Sequence, residues 1–205
     1  MSDPTIDKVQ RALLPLDITD GADRITQDTQ RVAAVLLPFV KRPVNDAFGG
    51  WHLIYTQRPE TMPNHAGQIS FPGGKAERGE SVADAALRET EEEIGLSPQD
   101  ITLLGRLPSF DAMGRFRITP YAGLVAPDSQ IIIDAHEVES AFEVPLSFLM
   151  NPDNHKSRIV QFSGKDHTIF DMPYTGADGI YRHIWGMTAM MTRRIWERGF
   201  READV

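Results

Sequence analysis

The segment from Ser81 to Gly95 constrains the fold more than any other part of this sequence, because it carries the signals of one well-bounded helix. Ser81 is a residue type that accepts hydrogen bonds at a helix start, and Asp84 stands three positions later as its capping partner. Gly95 supplies the left-handed conformation with which helices commonly end. Four acids lie near this C-terminal end, namely Glu89, Glu91, Glu92 and Glu93. The helix dipole and mutual repulsion both disfavour acids there, so the cluster needs an explanation.

The helical repeat separates these acids into two groups. At about 100° per residue, Glu89, Glu92 and Glu93 project within roughly 100° of one another, whereas Glu91 points elsewhere. Hard divalent cations such as Mg²⁺ and Mn²⁺ prefer clustered oxygen ligands and share them with substrate phosphates, so such a cation would offset the repulsion. The alternative is a solvated acidic surface, since exposed runs of charge are common. The clustering by itself leaves both interpretations open.

The other residues of this helix predict which side faces a sheet. The stripe expected to pack on the sheet consists of Ala83, Leu87, Thr90 and Ile94. The small residues that share or border the carboxylate face are Val82, Ala85 and Ala86. We therefore expect little side-chain bulk around the acids.

Short strands and a few helices fill the rest of the chain. Runs rich in branched and aromatic residues predict strands at Val32–Val40, Trp51–Gln57, Ile69–Phe71, Ile101–Leu107, Phe116–Val125 and Val138–Val144. Helices are expected after Asp3-Pro4, over Ser147–Met150 and over Trp185–Phe200. Residues 155–182 admit two short strands, or one strand and a long loop. Strands on both sides of a central helix predict an α/β or α+β sandwich rather than a parallel repeat.

Length and composition predict one folded domain. The chain has 205 residues, little more than a typical domain, so we expect an N-terminal helical extension over residues 1–30 and a single domain over 31–200. The chain has no cysteine, which fits a reducing compartment, and the expected location is cytoplasmic. The longest apolar run, Val32–Val40, is far shorter than the roughly 20 residues that span a membrane.

The charge balance bears on the choice of partner. Acids outnumber bases by 29 to 21, giving a net charge of −8, so binding to a nucleic acid duplex is not expected. A small polyanion is compatible with such a chain when a divalent cation bridges it to the acids. We therefore expect a small-molecule ligand and leave open whether the chain forms a homodimer.

The flanks of the helix resemble a known motif. Gly74 is followed after five residues by Glu80 and, after seven more, by Arg88-Glu89-Thr90-Glu91-Glu92-Glu93-Ile94-Gly95-Leu96. This pattern resembles the Nudix box of the Nudix hydrolases, with Thr90 at a position that is usually apolar. The resemblance implies a mixed β-sheet sandwich flanked by helices, in which the box forms a catalytic loop-helix-loop. It also implies that Arg88 and Glu80 form an ion pair that orients the helix and the loop.

The same resemblance implies a metal site and a reaction. Glu89 and Glu93 would ligate Mg²⁺ or Mn²⁺ directly, and Glu92 would do so directly or through water. The backbone carbonyl of Gly73 is a further candidate ligand. The family hydrolyses a nucleoside diphosphate linked to another group, and the catalytic candidates are Glu92, Glu89 and a remote acid, Glu137. Glu137 matches an acid of one subfamily, and the alternative is a simple exposed acid.

The segment upstream of the box narrows the resemblance. Leu53–Arg58 and His65–Gly74 are similar to the signature of Nudix coenzyme A pyrophosphatases, and Trp185–Ala189 also agrees with that group. The implied reaction is metal-dependent hydrolysis of the diphosphate bond of coenzyme A or acyl-CoA, giving phosphopantetheine and adenosine 3′,5′-bisphosphate. Pro59 and Pro63 depart from the signature. ADP-ribose or NADH therefore stays the alternative substrate, and a non-catalytic nucleotide-sensing domain is a further alternative.

Two residues of the upstream segment are candidate substrate contacts. Arg58 follows a predicted strand and is a candidate phosphate contact, although an arginine there is also an ordinary surface residue. His65 could donate a hydrogen bond to a phosphate or be satisfied by the loop backbone. The sequence does not decide between these roles.

Overall fold

The computed structural model describes residues 3–18, 31–44, 46–112, 116–162 and 164–201, so part of the predicted extension over 1–30 lies outside it. Within these residues the main sheet has eight strands and a smaller sheet has three. The main sheet contains β1 (Arg31–Lys41), β2 (Trp51–Gln57), β3 (Ile69–Ser70), β4 (Gly73–Lys75), β5 (Ile101–Arg106), β6 (Phe110–Ala112), β7 (Phe116–Val125) and β8 (Ser140–Pro145). The smaller sheet contains β9 (Lys156–Phe162), β10 (Lys165–Thr175) and β11 (Tyr181–Trp185).

The main sheet is mixed and is organised around β1. The strand order is β3-β2-β1-β7-β5. Strand β8 also pairs with β2, along the edge opposite β1. Strand β1 runs parallel to β7 from the pair Arg31↔Phe116 to the pair Val40↔Val125. It also pairs antiparallel with β2 and with β4, so β4 is fixed to the centre of the sheet.

Helices pack on both faces of the main sheet. The described α-helices are α1 (Pro4–Ala12), α2 (Val82–Ile94), α3 (Leu146–Leu149) and α4 (Gly186–Ile195), and α4 continues into a π-helical turn, Trp196–Phe200. None of the helices described is long and apolar enough to cross a membrane.

Two hydrophobic cores form the layers of the molecule. Leu36 and Ile54 of the sheet pack with Ala85 and Ala86 of α2 in one core. Residues of the opposite sheet face, including Leu37, pack with α1, α4 and the smaller sheet in the other core. The layers are therefore α2, the main sheet, and a mixed layer of helices and the smaller sheet. This arrangement confirms the predicted α+β sandwich flanked by helices.

Several predicted boundaries change in the structure. The strand predicted over Val138–Val144 runs from Ser140 to Pro145, and the short helix after it is Leu146–Leu149. Residues 155–182 contain two full strands, β9 and β10, together with the first residues of β11. The predicted closing helix begins at Gly186, because Trp185 is the last residue of β11.

The face of α2 that meets the sheet differs from the predicted stripe. The fully buried residues of the helix are Val82, Ala85, Ala86, Thr90, Glu93 and Ile94, whereas Ala83 and Leu87 are only partly buried. The prediction is confirmed for Thr90 and Ile94 and wrong for Ala83 and Leu87, because helical periodicity gives the relative directions of side chains but not the sector that meets a neighbour. Small side chains let the helix approach β1 and β4 closely. Consequently the carboxylates border the buried face, and Glu93 is only 4% exposed.

Candidate active site

The helix that carries the glutamates is capped as its sequence predicts. Ser81 Oγ accepts a hydrogen bond from the Asp84 amide at 3.0 Å, and Gly95 ends the helix with a φ of +71°. Thr90, at the usually apolar position of the box, is fully buried, and its hydroxyl donates to the Ala86 carbonyl at 2.6 Å. This internal bond satisfies the hydroxyl, which explains why threonine is accepted there.

The Gly73-Gly74 turn fits tightly between the sheet and α2. A β-carbon on Gly73, whose φ is +149°, would collide with the backbone of Ala34 and Val35 in β1. A β-carbon on Gly74 would collide with the carboxylate of Glu89. Gly73 therefore requires glycine, because the backbone of β1 cannot give way, whereas Gly74 leaves the space that the Glu89 carboxylate occupies.

The turn also contacts Glu93. The Gly73 amide donates a hydrogen bond to Glu93 Oε2 at 3.3 Å. Glu89 and Glu93 lie one helical turn apart and therefore both face two consecutive residues of the turn. The structure thus brings together Glu89, Glu93 and the backbone of Gly73. The contact shown is made by the Gly73 amide, so the role of its carbonyl as a metal ligand stays a prediction.

Arg88 links the loop to the carboxylates. Its Nε donates to Glu80 Oε1 at 2.9 Å, which confirms the predicted pair. Its terminal nitrogens donate to Glu89 Oε1 at 3.1 Å, to Glu92 Oε2 at 2.7 Å and to the Lys75 carbonyl at 3.0 Å. Arg88 therefore holds β4, the following loop and α2 together, and it occupies oxygens of Glu89 and Glu92.

The protonation of these acids depends on their burial. Hydrogen bonding to Arg88 holds the pKa of Glu80 below its ordinary value. Burial raises the pKa of Glu89 and raises that of Glu93 to about 8. The Gly73 amide and the charge of Arg58 only partly offset this effect on Glu93. Without a bound cation, burial therefore makes Glu89 and Glu93 harder to ionise, and both lie beside a turn that the sheet holds in place.

Glu137 belongs to a separate loop, and its charge adds to the effect of burial on the same carboxylates. Its charge raises the pKa of both Glu89 and Glu93. The loop is attached to the end of α2, because the Asp134 amide donates to the Glu93 carbonyl at 3.0 Å and the Ile132 amide donates to the Ile94 carbonyl at 2.9 Å. Asp134 in turn accepts a bond from the Glu137 amide at 3.0 Å. Sequence reasoning missed this attachment because backbone donors of a loop leave no signature in residue type.

Arg58 also belongs to this neighbourhood. Its backbone amide donates to the Gln68 carbonyl at 3.0 Å, and its positive charge lowers the pKa of Glu93. Its Nε is buried and has no hydrogen-bond partner within the described residues. A partly buried guanidinium with spare donor capacity beside a carboxylate cluster can bind an anionic ligand.

His65 is placed differently from the other candidates. It is exposed, has a positive φ of 59°, and lies with Nδ1 2.9 Å from Gln68 Oε1. Its carbonyl accepts the Gln68 amide at 3.1 Å. The imidazole therefore contacts the Gln68 side chain rather than the loop backbone, and its role toward a phosphate stays a prediction.

The donor set fits a hard divalent cation. In the part of the chain that the structure describes, no three acid or histidine side chains already form a ready-made metal cage. The ion pairs of Arg88 with Glu89 and Glu92 turn carboxylate oxygens toward the guanidinium. The carboxylates nevertheless supply the clustered, partly desolvated oxygens that Mg²⁺ and Mn²⁺ prefer, and the Glu89 carboxylate lies in the space that Gly74 leaves beside the turn.

A family model and two relatives in sequence identify the family. The NUDIX domain model matches residues 33–162. The uncharacterized Nudix hydrolase NudL of Klebsiella pneumoniae subsp. pneumoniae is 34% identical over 167 residues, which cover 81% of each chain. The uncharacterized NudL of Salmonella heidelberg is 34% identical over 175 residues, covering 84% of this chain and 85% of that protein. Among solved structures, the Nudix hydrolase RenU of M. smegmatis covers 58% of this chain and 72% of its own, with 19% identity and a TM-score of 0.49.

The family match contains the glutamate helix, the glycine turn and the loop of Glu137. It extends over more than half of the chain, and the relatives extend over most of it. The chain therefore belongs to the Nudix hydrolases and is a pyrophosphohydrolase of nucleoside diphosphate derivatives.

Proposed function

We propose that this protein hydrolyses the diphosphate bond of coenzyme A or acyl-CoA, releasing phosphopantetheine and adenosine 3′,5′-bisphosphate. The convergence of Glu89 and Glu93 on the Gly73-Gly74 turn is the observation that carries the assignment of the catalytic centre. The choice of coenzyme A rests on the similarity of the segment Leu53–Gly74 to the signature of coenzyme A pyrophosphatases.

Nudix hydrolases generally use divalent metal ions, and the donor set here favours Mg²⁺ or Mn²⁺. Glu89, Glu93 and Glu92 would hold the cation, together with the carbonyl of Gly73. When bound, the cation supplies charge neutralisation to the diphosphate and makes water a better nucleophile near neutral pH. Glu92 is 58% exposed at its side chain and is tied to Arg88, so it can turn toward the ligand at little cost.

The remaining steps belong to side chains around the turn. Arg58 binds a phosphate oxygen through its spare donor and thereby orients the diphosphate. Glu137 accepts a proton from the attacking water as that water forms its bond to phosphorus, and the bridging phosphorus–oxygen bond breaks. Glu92 and Glu89 are the other candidates for the proton acceptor. His65, on the exposed loop, is the other proposed substrate contact and would donate a hydrogen bond to a phosphate.

A direct assay tests the proposal. Purified protein is incubated with Mn²⁺ and coenzyme A, acetyl-CoA, ADP-ribose or NADH, and the products are resolved by chromatography. We expect phosphopantetheine and adenosine 3′,5′-bisphosphate from coenzyme A, at a higher kcat/KM than for the other diphosphates. Faster turnover of ADP-ribose or NADH would contradict the substrate assignment. Absence of turnover with every compound would favour a nucleotide-sensing domain instead.

A further inference from the structure

The motif Trp185–Ala189 has no part in the site described so far. It lies beyond residues 33–162, which match the family model. Gly186 begins α4 with a φ of +62°, so the chain leaves β11 and enters the helix without an intervening loop. As a result Thr188, in the first turn of α4, is buried against the main sheet.

Thr188 is bonded to the strand that leads into the glycine turn. Its hydroxyl donates to the Ile69 carbonyl at 3.0 Å, in a bond that is buried and joins residues 119 positions apart. Ile69 belongs to β3, and Gly73 follows four positions later. A two-residue strand has few ladder bonds of its own, so this bond is a substantial part of what fixes the start of the turn.

A second contact from α4 reaches the same segment through Tyr55. The ring of Tyr55 stacks on Phe71 with centroids 4.6 Å apart. Thr192 Oγ1 donates to the Thr188 carbonyl at 3.1 Å, so the buried Tyr55 hydroxyl, 2.9 Å away, must donate to Thr192. The hydroxyls of α4 therefore fix both the carbonyl of Ile69 and the ring on which Phe71 rests.

The main sheet holds the other side of this segment. Thr56 Oγ1 donates to the Ser70 carbonyl at 3.3 Å, and the Leu36 amide donates to the Pro72 carbonyl at 2.9 Å. Strand β4 then pairs with β1. Contacts from the sheet and contacts from α4 thus alternate along residues 69–75, so each set holds part of the segment that leads into the glycine turn.

We infer that Thr188 is a positioning residue for hydrolysis, with Tyr55 and Thr192 as a second support from α4. The inference rests on the proposed function, because that proposal assigns the catalytic centre to the Gly73-Gly74 turn. Thr188 acts through Ile69 and does not touch the reacting atoms. A displacement of about 1 Å in a catalytic group can lower a rate by as much as roughly 10²-fold, so loss of this buried bond has a measurable cost.

Three variants test the inference. Thr188→Val keeps the shape of the side chain but removes the donor, and Thr188→Ser restores the donor. Thr5→Val is the matched control, because Thr5 is also buried in a helix and its hydroxyl donates to a distant carbonyl, that of Phe48, at 3.3 Å. Each protein is first compared with the wild type by circular dichroism and thermal unfolding, and is assayed only at temperatures where it is folded.

Steady-state kinetics with Mn²⁺ and coenzyme A give the main readout. For Thr188→Val we expect kcat to fall at least tenfold while KM changes less than about threefold. Thr188→Ser should recover kcat to within about threefold of the wild type, and Thr5→Val should keep it within about twofold. Calorimetric titration of Mn²⁺ into the substrate-free proteins should show weaker binding for Thr188→Val only. If Thr188→Val does not fold, Tyr55→Phe, which keeps the stacked ring, should lower kcat about threefold.

The outcomes separate this inference from the proposed function. A kcat for Thr188→Val within twofold of the wild type, an equal loss in Thr5→Val, or failure of Thr188→Ser to restore activity would overturn the positioning role. If Thr188→Val does not fold and Tyr55→Phe is used instead, an unchanged kcat in Tyr55→Phe would also overturn the positioning role. A wild-type protein inert toward every diphosphate would instead overturn the proposed function on which the inference rests.

Discussion

The two long helices on opposite faces of the main sheet, α2 and α4, differ in how well their buried polar side chains are hydrogen-bonded. Helix α2 buries Glu93, whose pKa burial raises to about 8, and has no basic residue in its last turn. Helix α4 buries Thr188 and Thr192, both of which are hydrogen-bonded, and carries arginines in its last turn. Both helices reach residues 69–75. Helix α2 therefore carries repelling and poorly solvated carboxylates, and a bound cation can offset this unfavourable energy. Helix α4 has buried hydroxyls that are already hydrogen-bonded, and it supports the glycine turn.

This difference separates residues that lower stability for the sake of function, on α2, from residues that stabilise the fold, on α4. Acids near a helix C-terminus are opposed by the dipole and by one another, so α2 is less stable than its sequence could make it. The hydroxyls of α4 contribute ordinary buried hydrogen bonds, which matter most when one partner is removed. Substitutions on α2 should therefore change activity without loss of stability, and substitutions on α4 should change both.

The largest expected effect comes from the carboxylates of α2. Glu89→Gln and Glu93→Gln should each lower kcat by about 10²-fold or more, because they remove charge from the predicted metal site where electrostatic stabilisation is strongest. Glu91→Gln is the matched control, since Glu91 is exposed on the same helix. Steady-state assays with Mn²⁺ and coenzyme A provide the measurement. Activity that persists in both variants would show that the catalytic assignment is wrong.

The stability of the metal-free protein should depend on pH through Glu93. Its folded pKa, about 8, lies above the ordinary 4.5, so the folded state retains a proton that the unfolded state has lost. The contribution of the buried, protonated Glu93 to the free energy of unfolding is therefore fully present below pH 4.5. It is lost as the pH rises toward 8. Thermal unfolding in the presence of a chelator should show a smaller decrease in Tm over this range for Glu93→Gln than for the wild type. Parallel curves for the two proteins would contradict the burial of a neutral Glu93.

The smallest effect is expected on the stability of the α4 side. Thr192→Val leaves the buried Tyr55 hydroxyl without its partner and should lower the free energy of unfolding by about 1–3 kcal/mol. Urea unfolding at neutral pH provides the measurement, with the exposed Thr102→Val as control. A loss no larger than that of the control would mean that the hydroxyl chain does not stabilise α4, and the contrast between the two helices would then weaken.

Local signals account for most of the secondary structure. The caps at Ser81 and Gly95 bound α2 as predicted, since these signals act within a few residues. The observed ends of the later strands differ from the predicted ones by a residue or two. Helix α4 begins one residue later than expected, because Trp185 belongs to β11. Pairing with a neighbouring strand decides such ends, and the partner strand is not visible in the local sequence.

The spacing of the box indicated which acids belong together, but their environments came from packing. Glu89, Glu93 and Gly73 lie together, whereas the burial of Glu93 reflects a helix face of which periodicity assigned only Thr90 and Ile94 correctly. Glu137 joins them because backbone amides of its loop bind the last carbonyls of α2. Thr188 reaches Ile69 across 119 positions. No pattern of residue types encodes such contacts.

The sequence by itself determined the helix, its caps, the acids on one side of it and the family to which the chain belongs. These depend on residue identity at fixed short spacings, and that information is complete in the chain. Only the tertiary structure decided which face of α2 is buried, which acids are hard to ionise and which distant hydroxyls support the glycine turn. Those properties depend on desolvation and on contacts between segments far apart in the chain, and both arise only when the layers pack.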